Sequence, residues 1–307
     1  MLKRAFAAAP FVLLAACAPS SPPEAKKEAA AAPAAAMGTL APNVLFENYD
    51  VVDLSVTVAE NMPAHWGLSP AFQRWTYNWF EQQKDHYGND YFGHEGPYYG
   101  QRYVIDEHTG TQTDYPAHFV PPSKGPLGKM TGDLYPLDRM MGPAVVIDVT
   151  DLRDKAENGK SAVITVQRIQ DWEKQHGEIK KGEVVLFRSG YSDAYYKPMP
   201  EGLRMTYMPV VAKTAPGWPA PEPAVMTYLH GKGVVHLGID GASMGPCEGG
   251  QAVHLAGLEK GMSWEEMLTG LGQLPPRGAF YMALGVKVRG QSGAITRACA
   301  FVPKRAQ

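Results

Sequence analysis

The run His108-Thr109-Gly110-Thr111-Gln112-Thr113-Asp114-Tyr115-Pro116-Ala117-His118 decides how the rest of the chain is read. It sets four side chains that can ligate a cation or carry a proton, His108, Gln112, Asp114 and His118, at even-numbered positions. Gly110 and Pro116 are incompatible with one continuous helix. An extended strand would put all four on one face, since side chains alternate with period two. Full extension would also hold His108 and His118 roughly 33 Å apart, too far for one small site. The segment is therefore expected to bend, with Gly110 and Pro116 as the residues that tolerate a bulge or a turn. His108, Gln112 and Asp114 then fall near one cation, with His118 at its margin. Taken alone, such a cluster has a polar strand face on the surface as its lesser alternative.

The segment resembles the His-x-Gly-Thr-His-x-Asp-x-Pro-x-His signature of the metal-dependent cyclase family, which includes bacterial kynurenine formamidases and isatin hydrolases. Positions 108, 110, 111, 114, 116 and 118 match, and Gln112 stands where the family usually has histidine. The resemblance continues in order through Asp53-Leu54-Ser55, Met62-Pro63, the run 142–149 (GPAVVIDV), the run 184–190 (VVLFRSG), Pro216-Gly217 and the run 238–243 (GIDGAS). His254, twelve residues before Glu266, occupies the place of the histidine that completes a second metal site with a glutamate in two-metal members.

The resemblance implies a single compact α/β domain with central β-structure flanked by helices, and a homodimer. It implies His108, Gln112 and Asp114 on a first divalent metal, Mn2+ or Zn2+, with Asp114 bridging to a second ion held by His254 and Glu266. It assigns His118 as general base and then acid, and puts Trp66 near a substrate-contacting position, although a core tryptophan suits Trp66 equally. The implied activity is hydrolysis of a small-molecule amide, lactam or lactone. A divalent ion lowers the pKa of bound water and polarises the scissile carbonyl, while a histidine titrating near neutrality shuttles the proton. The neutral amide oxygen of Gln112 is a poorer zinc ligand than imidazole and suits manganese, magnesium or calcium better.

Outward from the motif, 307 residues with 45% hydrophobic and 20% charged content can build a large core, which excludes a disordered tail protein. The net charge of −2, with no Lys/Arg-rich stripe, argues against a nucleic-acid partner and leaves a small-molecule substrate. Thirty-two glycines and 26 prolines indicate a fold rich in strands and turns rather than a helical bundle. Val/Ile-rich runs predict strands over Val51–Val58, Ala144–Val149, Glu183–Ser189, Val234–Ile239, Leu284–Arg289 and Ala294–Phe301. Helical periodicity is expected over Val166–His176 and Pro223–His230, and a third helix over Ser263–Gly270 with Ser263 as N-cap. The aromatic-rich stretch from Phe72 to Tyr103 has Phe72, Trp75 and Trp79 at helical spacing, which reads as a short core-packed helix or, equally, as a substrate lid or subunit contact.

Residues 1–17 read as a secretory leader: Lys3 and Arg4, an apolar run from Ala5 to Ala16, and Leu14-Ala15-Ala16-Cys17, which resembles a bacterial lipobox. The resemblance implies cleavage before Cys17, lipidation of its thiol, and a location on the periplasmic side of a membrane, the outer membrane by the absence of aspartate at position 18. Membrane contact is then through the lipid alone. Residues 18–42 are Ala/Pro-rich and read as a tether to a hydrolase domain over 43–307. Cys247 and Cys299 remain, and sequence does not say whether they pair.

Two rival classes stay open at this level. Gly241-Ala242-Ser243-Met244-Gly245 fits the Gly-x-Ser-x-Gly elbow of serine hydrolases and follows a strand, yet Pro246, Gly249 and Gly250 stand where its helix should begin. A non-catalytic periplasmic lipoprotein that binds a metal or small molecule is the other.

Overall fold

The computed structural model describes residues 47–63, 71–81, 84, 86–89 and 97–304. Cys17, the tether and Trp66 lie outside the described residues. The strands are β1 (Tyr49–Asp53), β2 (Gln73–Asn78), β3 (Gly100–Val104), β4 (Gln112–Asp114), β5 (Met141–Asp148), β6 (Val163–Ile164), β7 (Val184–Arg188), β8 (Ala220–Pro221), β9 (His236–Ile239), β10 (Ser263–Glu266), β11 (Arg277–Gly285) and β12 (Gly293–Pro303). The helices are α1 (Val166–His176), α2 (Tyr191–Tyr195), α3 (Pro223–Gly231) and α4 (Gln251–Leu258). The described residues belong to one compact unit. No helix among the described residues is long and apolar enough to cross a membrane.

One sheet organises the domain, in the order β1-β12-β11-β5-β7-β9-β10-β4, and an additional β12–β4 pairing closes it into a barrel-like ring. β5, β7, β9 and β10 run parallel, whereas the β4, β11 and β12 pairings are antiparallel. The parallel strands read as near-continuous apolar runs because both of their faces are covered. Alternation along β5 shows how. Ala144 and Val146 face a core of small and aliphatic residues inside the ring, with Leu186, Tyr281, Ala283, Ala298 and Ala300. Val145 and Ile147 face the helix layer, with Ile169 and Trp172 of α1 and Val225 and Leu229 of α3. Thr165 caps α1 by accepting from the Arg168 amide, and Pro223 opens α3 at a position where its missing N–H costs nothing.

Several expectations change. Ser263–Glu266 is a strand, not a helix start: it pairs parallel with β9 and antiparallel with β4, so ladder bonds on both edges override local preference. Phe72–Trp79 is not helical either, since Gln73–Asn78 pairs with β3 as a separate two-stranded ribbon. The β11 strand runs Arg277–Gly285, ending where the expected strand began. Cys247 and Cys299 are both free.

Candidate metal site

The motif bends as its glycine and proline require. Gly110 adopts a left-handed φ of +67° as the chain enters β4, a conformation open to glycine without strain. Pro116 then starts a one-turn 3-10 helix ending at His118. These two bends bring the His108 and His118 rings to a centroid separation of 4.1 Å. Gly293, opposite Asp114 in the β12 ladder, makes room for them: a β-carbon there would come within 2.4 Å of His108 Nε2.

β4 and β10 each send alternate side chains to opposite sides of the sheet. Toward the ring interior, Glu265 accepts from Thr113 Oγ1 at 2.5 Å and from the Tyr281 hydroxyl at 2.9 Å, and lies 2.6 Å from His236 Nε2. Toward the helix layer point Asp114 and Glu266, where they meet His254 from α4. His254 Nε2 is 3.3 Å from Asp114 Oδ2 and 3.4 Å from Glu266 Oε1. His108 Nε2 is 3.3 Å from Asp114 Oδ1, and His118 Nε2 is 3.9 Å from Asp114 Oδ2. Two groups with metal-ligating geometry result, His108–Asp114–His118 and Asp114–His254–Glu266, with Asp114 common to both.

Gln112 enters differently from the other motif side chains. Its Nε2 donates to Glu266 Oε2 at 2.9 Å, while its carbonyl oxygen is fully buried and has no hydrogen-bond partner. His108 Nε2 and both Asp114 carboxylate oxygens share that condition. Buried polar atoms are almost always satisfied, so four unsatisfied atoms on three neighbouring motif residues mark a deficit that a divalent cation would fill. The residues present fit such an ion.

The surrounding groups fix the ligands in orientation. His254 Nδ1 lies 2.8 Å from the Gly250 carbonyl, which leaves Nε2 as the nitrogen facing the carboxylates and the one whose lone pair a cation would take once the proton is released, and Phe119 packs on the ring at 4.4 Å. Asp106 accepts from the His108 amide at 2.8 Å. Glu266 Oε1 accepts from the Met244 amide at 2.6 Å and from the Ser243 hydroxyl at 3.0 Å. Ser243 is thus committed to Glu266, no histidine hydrogen-bonds to it among the described residues, and α4 begins only at Gln251. The elbow geometry of a serine nucleophile is absent from this loop.

The electrostatics describe a site built around positive charge. Burial opposes a charged Asp114, yet His118, His108 and His254 beside it hold its carboxyl well below the usual carboxylate range. Burial also disfavours charge on His108 and His254, but their carboxylate neighbours win and raise them to about 9 and about 10. In the metal-free protein two imidazolium rings do the charge compensation that a cation would do. His118 goes the other way: burial, opposed by Asp114 and reinforced by His108, lowers its pKa. A cavity of about 600 Å³ opens onto these groups, walled by Phe119, Trp218, Pro246 and Cys247 and edged by Asp106 and Glu248.

The structure therefore brings His108, Gln112, Asp114, His118, His254 and Glu266 together, as the sequence pattern requires. Sequence reading did not reach Asp106, Trp218 or the role of Ser243 on Glu266. Trp218 had a signal in the flanking Pro216-Gly217, whereas the other two are visible only through contacts.

Comparison with known proteins places the fold. The sequence profile of the Cyclase family ("Putative cyclase") matches residues 52–246. An isatin hydrolase of Roseibium aggregatum is 27% identical over 286 residues, spanning 88% of this chain and 98% of its own. Isatin hydrolase A from Ralstonia solanacearum superposes with a TM-score of 0.69 at 25% identity, over 91% of this chain and all of its own. A crystal structure of an isatin hydrolase bound to the product analogue thioisatinate gives the same TM-score at 23% identity, over 86% of this chain and 96% of its own.

Proposed function

The chain belongs to the cyclase family, and on that premise we propose that it is a metal-dependent hydrolase of a small cyclic or aryl amide, of the isatin hydrolase type, using Mn2+ or Zn2+. The observation that carries this reading is the convergence of unsatisfied buried atoms on His108, Gln112 and Asp114 beside His118, His254 and Glu266, all of which except Gln112 line one cavity. His108, Gln112 and Asp114 would hold one ion, and His254 and Glu266 a second that shares Asp114. Such an ion supplies Lewis-acid polarisation of the scissile carbonyl and acidifies water.

The chain's own residues do the rest. His118, kept neutral by burial, takes a proton from the attacking water at Nε2. The water oxygen bonds to the carbonyl carbon, the C–N bond breaks, and His118 returns the proton to the departing nitrogen, so the ring ends as it began. Phe119 offers an apolar wall for a planar ring, backed by the fully buried Trp218. Chelation is expected to abolish turnover of isatin, aryl formamides or related lactones, with recovery on adding Mn2+. His118→Ala is expected to keep its metal and lose about 10²- to 10⁴-fold in kcat. Turnover that survives both treatments would contradict the reading, and a fluorophosphonate label on Ser243 would replace it.

The lipobox-like run ending at Cys17 supports a lipid-anchored enzyme facing the periplasm, and the family pattern supports a homodimer. Labelled palmitate incorporated by the wild type and lost in Cys17→Ser would support the anchor; no incorporation by either would remove it.

A further inference from the structure

The hydroxyl of Ser292 lies between two groups of the site that the motif does not connect. It donates to Glu107 Oε1 at 2.5 Å, and its oxygen is 3.5 Å from His118 Nδ1. The Ser292 amide also reaches Glu107, at 3.3 and 3.2 Å from its two oxygens, and the Ser292 carbonyl accepts from the Tyr115 amide at 3.1 Å. Both backbone bonds pin Ser292 where β12 begins, next to Gly293, the residue that makes room for the His108 ring.

We propose that Glu107 and Ser292 form a positioning relay that sets the ring orientation and tautomer of His118. A hydroxyl has one proton, and here it is committed to the carboxylate. Toward His118 it presents only lone pairs, so Nδ1 must be the ring nitrogen that carries hydrogen. Nε2, on the side of Asp114, then has the free lone pair that a base facing the cavity needs. The 3.5 Å separation is at the long end of hydrogen bonding, as such contacts often are before substrate is bound. Neither residue touches the substrate cavity or offers itself as a ligand: both act through His118. The relay rests on the hydrolase reading, with His118 as the proton carrier.

Ser292→Ala removes the hydroxyl and keeps both backbone bonds, so it tests the relay with little structural change. The expected result is kcat lower by about 10- to 100-fold, with KM within about twofold, Mn2+ content unchanged and Ser292→Thr restoring activity. Independently, long-range 1H–15N correlation on the 15N-histidine protein loaded with Zn2+ reads the tautomer directly, with His118 assigned by its absence from His118→Ala. The relay predicts Nδ1–H in the wild type and a mixture of tautomers in Ser292→Ala. Nε2–H in the wild type, or an unchanged kcat in Ser292→Ala beside an inactive His118→Ala, would overturn the relay alone. An active His118→Ala would instead sink the hydrolase reading on which it rests.

Discussion

Substituting glutamate for Gln112 tests the site with opposite signs in its two states. In the wild type, Gln112 Nε2 donates to Glu266 Oε2 at 2.9 Å, inside a buried cluster that already contains Asp114. Gln112→Glu is nearly isosteric but replaces that donor with a carboxylate oxygen. Two like charges about 4 Å apart repel by about 4 kcal/mol at an effective dielectric of about 20, part of which relaxation and proton uptake relieve. The metal-free variant should then be less stable by about 3 kcal/mol, which at roughly 2–4 °C per kcal/mol lowers Tm by roughly 6–12 °C. A bound divalent cation turns the same added charge into a favourable ligand. Affinity for Mn2+ should therefore rise by on the order of tenfold or more, and the metal-induced rise in Tm should exceed that of the wild type. Thermal melts in chelator and in graded Mn2+, with a chromophoric chelator competing for the ion, measure both quantities. Equal Tm loss with and without metal, together with unchanged Mn2+ affinity, would refute the placement of Gln112 at a cation.

Three further outcomes follow from the same geometry. His236→Ala leaves the fully buried Glu265 carboxylate short of a partner and should cost about 3–5 kcal/mol, and Tyr281→Phe about 1.5–3 kcal/mol, both without loss of metal content, read by denaturant unfolding beside metal analysis. His108 and His254 have folded pKa values raised above 6.5, to about 9 and about 10, so their contribution to metal-free stability is complete below about pH 6.5 and is lost as pH rises through those values. Metal-free Tm should fall between pH 7 and 10, while cation affinity rises across the same window with proton release, measurable calorimetrically in buffers of different ionisation enthalpy. Among the described residues the cavity is edged by Asp106 and Glu248 and by no lysine or arginine, so neutral substrates should outrun carboxylated analogues, and Glu248→Lys should narrow that gap in kcat/KM by about tenfold.

How much of this could be read from sequence depends on how far apart in the chain the cooperating residues lie. The bend of the motif followed from Gly110 and Pro116 alone, because sterics forbade both a helix and a productive straight strand. The apolar runs of β5, β7 and β9 were equally plain, since burial on both faces leaves a continuous hydrophobic signature. Ser263–Glu266 was not plain: four residues with two acids look like a helix start until both sheet edges are known. Nor was α4, because Gly249 and Gly250 read as breakers when in fact they lead into the helix that carries His254. Trp75 and Trp79 mimic a helical face, yet the pairing that makes Gln73–Asn78 a strand comes from 100–104, more than twenty residues away. Glu107 and Ser292 are 185 residues apart, and only the β12–β4 pairing that closes the ring brings them together.

The most direct test of the account is metal content, measured by plasma mass spectrometry on protein purified without chelators. The account predicts one or two equivalents of manganese or zinc per chain, lost together with turnover on chelation and in Asp114→Ala. Protein that carries no divalent metal, even after incubation with manganese and zinc, would contradict it.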